Sequence, residues 1–175
     1  MRVSSRPLIQ STLVCLLFVS EGHAGTILPP SGSAAFNPAT VTMGGSQTTT
    51  YTLTVSNPNA TSLTNIQFSN TYPAGLVVDA IGNYTCATVS APGNPGGTGG
   101  GSANFSGSSF SFNLNTLSAG DSCTVVFTAH ATSTGSIVDT TSTFTSNEAA
   151  AGAAASATLM VNPSTPVTLQ SFDVK

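Results

Sequence analysis

TTTYTLTVS, the stretch from Thr48 to Ser56, alternates without a break. Tyr51, Leu53 and Val55 fall on one side of an extended chain, and Thr50, Thr52 and Thr54 on the other. A period of two with β-branched and aromatic residues is the mark of a strand that buries one face and wets the other. Asn57-Pro58-Asn59 then makes a turn. Leu63 to Tyr72 repeats the alternation through Ile66 and Phe68, and Pro73-Ala74-Gly75 ends it. Upstream, Ala35 to Met43 carries Phe36, Val41 and Met43, with Pro38 marking an edge or a bent start. Downstream, Leu76 to Ile81, Tyr84 to Val89, Phe110 to Leu114, Cys123 to Ala131, Ser136 to Phe144 and Ala157 to Val161 read as further strands.

Two segments do not read as strands. Ala91 to Ser109 holds seven glycines and two prolines and is expected to be a long flexible loop. Ala149 to Ala157 has helix propensity, but Gly152 interrupts it and Thr158-Leu-Met-Val161 continues in strand composition, so loop then strand is expected. Short strands at regular spacing with no strand-then-helix repeat predict an all-β, immunoglobulin-like sandwich of two antiparallel sheets, with seven to nine strands. The chain has no Trp, so the buried Trp of antibody domains is missing.

The first residues have the three parts of an export signal. Arg2 and Arg6 start it, Leu8 to Val19 is its apolar run, and Gly22 and Ala24 are small residues before a cleavage point between Ala24 and Gly25. The run is shorter than the roughly 20 apolar residues needed to span a bilayer. Cys15 lies inside it, which speaks against a lipid anchor. The expected organisation is a signal peptide over 1–24, a lead-in over 25–32, the sandwich over 33–162, and a linker with a C-terminal strand over 163–175.

Beyond the signal, Lys175 is the one basic residue, against Asp79, Asp121, Asp139, Glu148 and Asp173. Such a chain has no basic footprint for nucleic acid or for an anionic membrane surface. Thr, Ser and Asn make its polar surface instead. Cys86 and Cys123 are the two cysteines left after cleavage, and an oxidising compartment predicts that they pair. Two free buried thiols are the alternative; a metal site is disfavoured because no His stands near them.

Catalytic signals are sparse, and no catalytic residue and no cofactor are expected. The glycine-rich stretch lacks the Lys-Ser or Lys-Thr of a phosphate cradle. His130 is offset from Phe127 and Ala129, which puts it on the solvent face of its strand, with no nucleophile identifiable beside it. The scattered acids Asp79, Asp121, Asp139 and Glu148 sit near turns, where two or three converging carboxylates hold calcium in other proteins. Asn59, Asn83 and Asn104 begin glycosylation sequons by pattern alone.

The order Phe36-Asn-Pro-Ala-Thr-Val41, Gly44-Gly-Ser46, Tyr51 to Asn59, Phe68 to Leu76, Cys86, Leu117 to Val125 and Ala155 to Val161 resembles a bacterial extracellular repeat. That repeat is catalogued as a domain of unknown function, the eleventh such family and its relatives. The resemblance implies an immunoglobulin-like sandwich outside the cell or on its surface, without catalytic residues, and Cys86 and Cys123 match the paired cysteines of one branch. A single copy, the long glycine loop and the lack of an evident C-terminal anchor depart from the family pattern.

The function expected is a non-catalytic secreted or cell-surface structural or adhesive module; the periplasm is a further possible location. A fibre subunit and a carbohydrate- or protein-binding module are the alternatives. The fibre reading rests on the tail, Val167-Thr-Leu-Gln-Ser-Phe-Asp-Val-Lys175, in which Val167, Leu169, Phe172 and Val174 supply an apolar segment that needs a sheet edge. It either folds back on its own domain, the favoured option, or adds to a neighbouring molecule.

Overall fold

A computed structural model describes residues 25–44, 47–85 and 101–164. The signal peptide with its Ala24–Gly25 junction, Cys86, and the tail residues Val167, Leu169, Phe172 and Val174 depend wholly or partly on residues outside that set. The described residues form ten strands: β1 (Ser31–Asn37), β2 (Thr40–Thr42), β3 (Thr48–Ser56), β4 (Leu63–Thr71), β5 (Leu76–Tyr84), β6 (Gly101–Ser106), β7 (Ser109–Leu117), β8 (Ser122–Ala131), β9 (Gly135–Thr140) and β10 (Ser156–Asn162).

One layer is the sheet β1-β3-β8-β5, in which every pairing is antiparallel. The other contains two ladders, β2-β10-β9 and β4-β7-β6. Residues 141–147 stitch these together along β4. Gln67 bridges Thr145, Asn70 bridges Thr141, and the Ser142 amide donates to the Ser69 carbonyl at 2.7 Å. The immunoglobulin-like class is therefore as expected, with corrections to its detail.

The stretch Ala35 to Met43 is not one strand. It divides at Pro38, which has no N–H to continue a ladder. Thus β1 pairs with β3, while β2 crosses to the other layer and pairs in parallel with β10 through Val41 and Val161. That pair breaks the all-antiparallel expectation. The second correction is β6. It lies inside the stretch read as loop, because Ala103 and Phe105 turn inward between Ser102, Asn104 and Ser106 despite the surrounding glycines. These two differences bring the strand count above the expected seven to nine. The third is Ser136 to Phe144, whose ladder stops at Thr140 before the chain changes neighbours from β10 to β4. Leu76 to Tyr84 is a single strand with two register shifts against β8.

Between the layers lies one core. Tyr51, Leu53 and Val55 of β3 are fully buried, as are Val125 and Phe127 of β8 and Leu114 of β7. Burying each such side chain stabilises the fold by about 1.5–3 kcal/mol. Phe127 meets Phe110 edge-on at 5.0 Å across the gap, and Phe36 stacks on Tyr51 at 4.6 Å within the first layer. Phe144 closes the core at the join between the ladders, 4.8 Å from Phe68. Its ring occupies the place where Gly32 of β1 has no side chain; a Cβ there would lie 2.0 Å from the ring.

Candidate functional site

Asp139 corrects the placement of the acids near turns. It stands within β9, one residue before its end, faces the core and has 0% exposure. The Tyr51 hydroxyl donates to Asp139 Oδ2, and Asn70 Nδ2 donates to the same oxygen at 2.7 Å. Asn70 Nδ2 also reaches the Tyr51 oxygen at 3.2 Å. One cluster thus ties β3 of the first layer to β4 and β9 of the second. Asp139 Oδ1, Asn70 Oδ1 and the nearby Tyr72 hydroxyl have no partner among the described residues.

Burial raises the Asp139 carboxyl above its usual range, and the bonds from Tyr51 and Asn70 pull it back only in part. Burial also raises the Tyr51 phenol, and the Asp139 charge and hydrogen bond add to the rise. Burial, followed by Asp139 and Tyr84, raises Tyr72 as well. Tyr51, Asn70 and Asp139 are shut away from solvent, so this cluster cannot meet a substrate. Its work is to hold the layers in register.

His130 lies on the outer face of β8, as its offset predicts, with Nδ1 2.8 Å from Asp79 Oδ2. This His–Asp pair lacks a nucleophile: among the described residues no hydroxyl or thiol hydrogen-bonds its other ring nitrogen. No three His, Cys, Asp or Glu side chains of the described residues come together as a metal group, so Asp79, Asp121, Asp139 and Glu148 do not converge. Cys123 is buried on β8, opposite Val55.

The larger feature is a groove of about 400 Å³ on the outer face of β4, β7 and β6. Residues 142–145 form its wall. The ladder register sets its side chains in two rungs across the strands. One runs Ser102, Asn113, Gln67, Thr145, and the other runs Asn104, Ser111, Ser69, with Ser142 hydrogen-bonded to Ser69. Every outward group is a hydroxyl or an amide, while Phe68 and Phe112 beneath face the core.

Part of this surface is already committed. Gln67 Nε2 donates to Asn65 Oδ1 at 2.7 Å, Asn113 Nδ2 to the same oxygen at 3.3 Å, and Thr145 Oγ1 to the Gln67 carbonyl at 3.3 Å. Ser102, Asn104, Ser111 and Thr143, in contrast, make no side-chain hydrogen bond within the described protein. Sequence reasoning missed the groove because one of its three strands, β6, lies in the stretch read as loop. The signal was the alternation from Ser102 to Ser106 within the glycine-rich stretch.

Solved domains from bacteria share this fold. The major pilin subunit of Bacillus cereus superposes with a TM-score of 0.55 at 11% identity, over 78% of this chain and 41% of that one. The collagen adhesin of Staphylococcus aureus gives 0.51 at 12% identity, over 75% and 48%. A C-terminal fragment of the major pilin of Streptococcus agalactiae gives 0.51 at 6% identity, over 76% and 56%. The chain thus spans from two-fifths to just over half of these proteins, and at such identities the likeness is one of fold. No curated protein matches it in sequence. Residues 30–161, most of the chain and all of the sandwich but its last residue, match the profile of the domain of unknown function DUF7933, and the chain belongs to that family.

Proposed function

We propose that this protein is a non-catalytic structural or adhesive module, exported from a bacterium and displayed on its surface or released. The observation that carries the reading is the groove: a preformed concave face with unspent hydroxyls and amides, on a domain whose titratable cluster is sealed inside. The shared fold of pilins and a collagen adhesin supports the same class of role. The signal-like residues 1–24 support export, and cleavage is proposed between Ala24 and Gly25. The test is surface proteolysis and fractionation of the producing cells, with attachment scored in a deletion strain. The chain from Gly25 onward should appear outside the cytoplasm, and a His130→Ala copy should restore attachment as well as the wild type. A cytoplasmic location, or loss of function in a folded His130→Ala protein, contradicts the reading.

A fibre subunit is the second reading, favoured by sheet edges that pair on one side only. Among the described strands, β5 and β6 each pair on one side only, and both lie at the ends of their sheets. An open edge accepts a further strand. The tail around Val167, Leu169, Phe172 and Val174 is the proposed donor, to its own domain or to the next molecule.

A further inference from the structure

We infer that the groove over β4, β7 and β6 takes an uncharged polysaccharide chain lying across the strands. This inference rests on the adhesive reading and names its ligand. Three observations select that chemistry. First, the groove has no charged lining residue, and the chain carries a formal net charge of −3, so anionic polymers gain nothing and are weakly repelled. Second, β7 is paired on both sides and β4 is paired with β7 and with residues 141–147, so their main-chain groups are already used. A peptide therefore cannot add as a strand to β4 or β7, which leaves the outer edge of β6, at the margin of the sheet, as the place for one, and the polar floor offers no apolar pocket for its side chains.

Third, the unspent groups suit a polyol. Asn104 presents an amide donor and acceptor side by side, a match for two neighbouring hydroxyls, with Ser111 beside it on the same rung and Ser102 on the next. Adjacent strands stand about 4.8 Å apart, comparable with the repeat of one sugar ring along an extended glycan. A chain crossing the strands thus meets a new hydrogen-bonding side chain at each ring. With no exposed aromatic side chain among the described residues to stack against a ring, single-site binding is weak, near the millimolar range, and adhesion comes from many copies.

The experiment titrates the isotope-labelled full chain with dextran, with laminarin, with polygalacturonate and with a collagen-like triple-helical peptide, following side-chain amide signals by NMR. Dextran or laminarin should move the Asn104 and Asn113 amide signals while polygalacturonate does not. Asn104→Ala and Ser111→Ala should each weaken that binding roughly two- to ten-fold, the scale of one hydrogen bond. Thr128→Ala, on the opposite outer face, should leave it unchanged, and backbone spectra establish that all three variants are folded. Shifts caused by the triple-helical peptide and by neither glucan overturn the inference in favour of a protein ligand. Shifts with polygalacturonate alone, or none at these amides with any probe, overturn it too. Surface attachment that survives Asn104→Ala separates a wrong ligand site from a wrong adhesive reading.

Discussion

Asp139 spends its burial on an unusual arrangement, a carboxyl with two donors on one oxygen and none on the other. Its folded pKa is raised above the unfolded value. Its contribution to stability is therefore fully present below the unfolded pKa and is lost as pH rises through the folded pKa. Glu148 opposes this weakly. Its pKa is lowered by hydrogen bonds from Thr64, so its contribution is lost as pH falls, but it is exposed. Denaturant melts taken from neutral pH down into the ordinary carboxylate range should show stability rising for the wild type as Asp139 is protonated, and a flatter profile for Asp139→Asn. A wild-type profile that falls over this window contradicts the account. Asp139→Ala, which strips Tyr51 and Asn70 of their acceptor, should cost about 1–3 kcal/mol for each group left unpaired. A second residue-scale test is Gly32→Ala: its Cβ meets the Phe144 ring at 2.0 Å, and overpacking of this kind costs about 1–3 kcal/mol.

At the scale of elements, periodicity was a sufficient guide where both neighbours of a strand lie in one sheet. The β3 strand runs over the residues whose alternation predicts it, and β8 differs by one residue. Periodicity fails where a strand changes partners, as at Pro38 and Thr141, because the alternation continues while the ladder does not. It also fails at β6, where glycine composition hides the inward Ala103 and Phe105. The groove shares that blindness, since outward Ser and Asn look the same in a loop and on a sheet face. Asp139 was legible as an acid but not as a buried one; nothing local distinguishes it from Asp79.

The end of β5 also bears on the proposed Cys86–Cys123 bond. Tyr84 stands opposite Val125, and the Thr85 amide donates to the Thr124 carbonyl at 3.0 Å. Cys86 itself lies outside the described residues, and its bond to Cys123 is a proposal that rests on export and on these being the two cysteines left after cleavage. Alkylation with mass measurement should label neither thiol before reduction and both after it. Opening the bond should cost about 4 kcal/mol on the chain-entropy estimate. Labelling of both thiols in the untreated protein refutes the pairing.

For the whole molecule, the sandwich has a sealed polar cluster inside, a hydroxyl-and-amide groove outside and, among the described strands, edges such as β5 and β6 that pair on one side only. Truncation after Pro166 tests what the tail does. Light scattering of the full chain at high concentration should show a monomer, with truncation only lowering its melting temperature, if the tail folds back. Oligomers that disappear on truncation establish strand exchange between molecules instead. The central claim, that the outer groove makes this domain an adhesive module, is tested most directly by coating beads densely with the full chain and counting their retention on a neutral-glucan surface. Wild-type and His130→Ala beads should be retained alike, and beads carrying folded Asn104→Ala, Ser111→Ala double variant should be released; equal retention of all three, or of none, contradicts the claim.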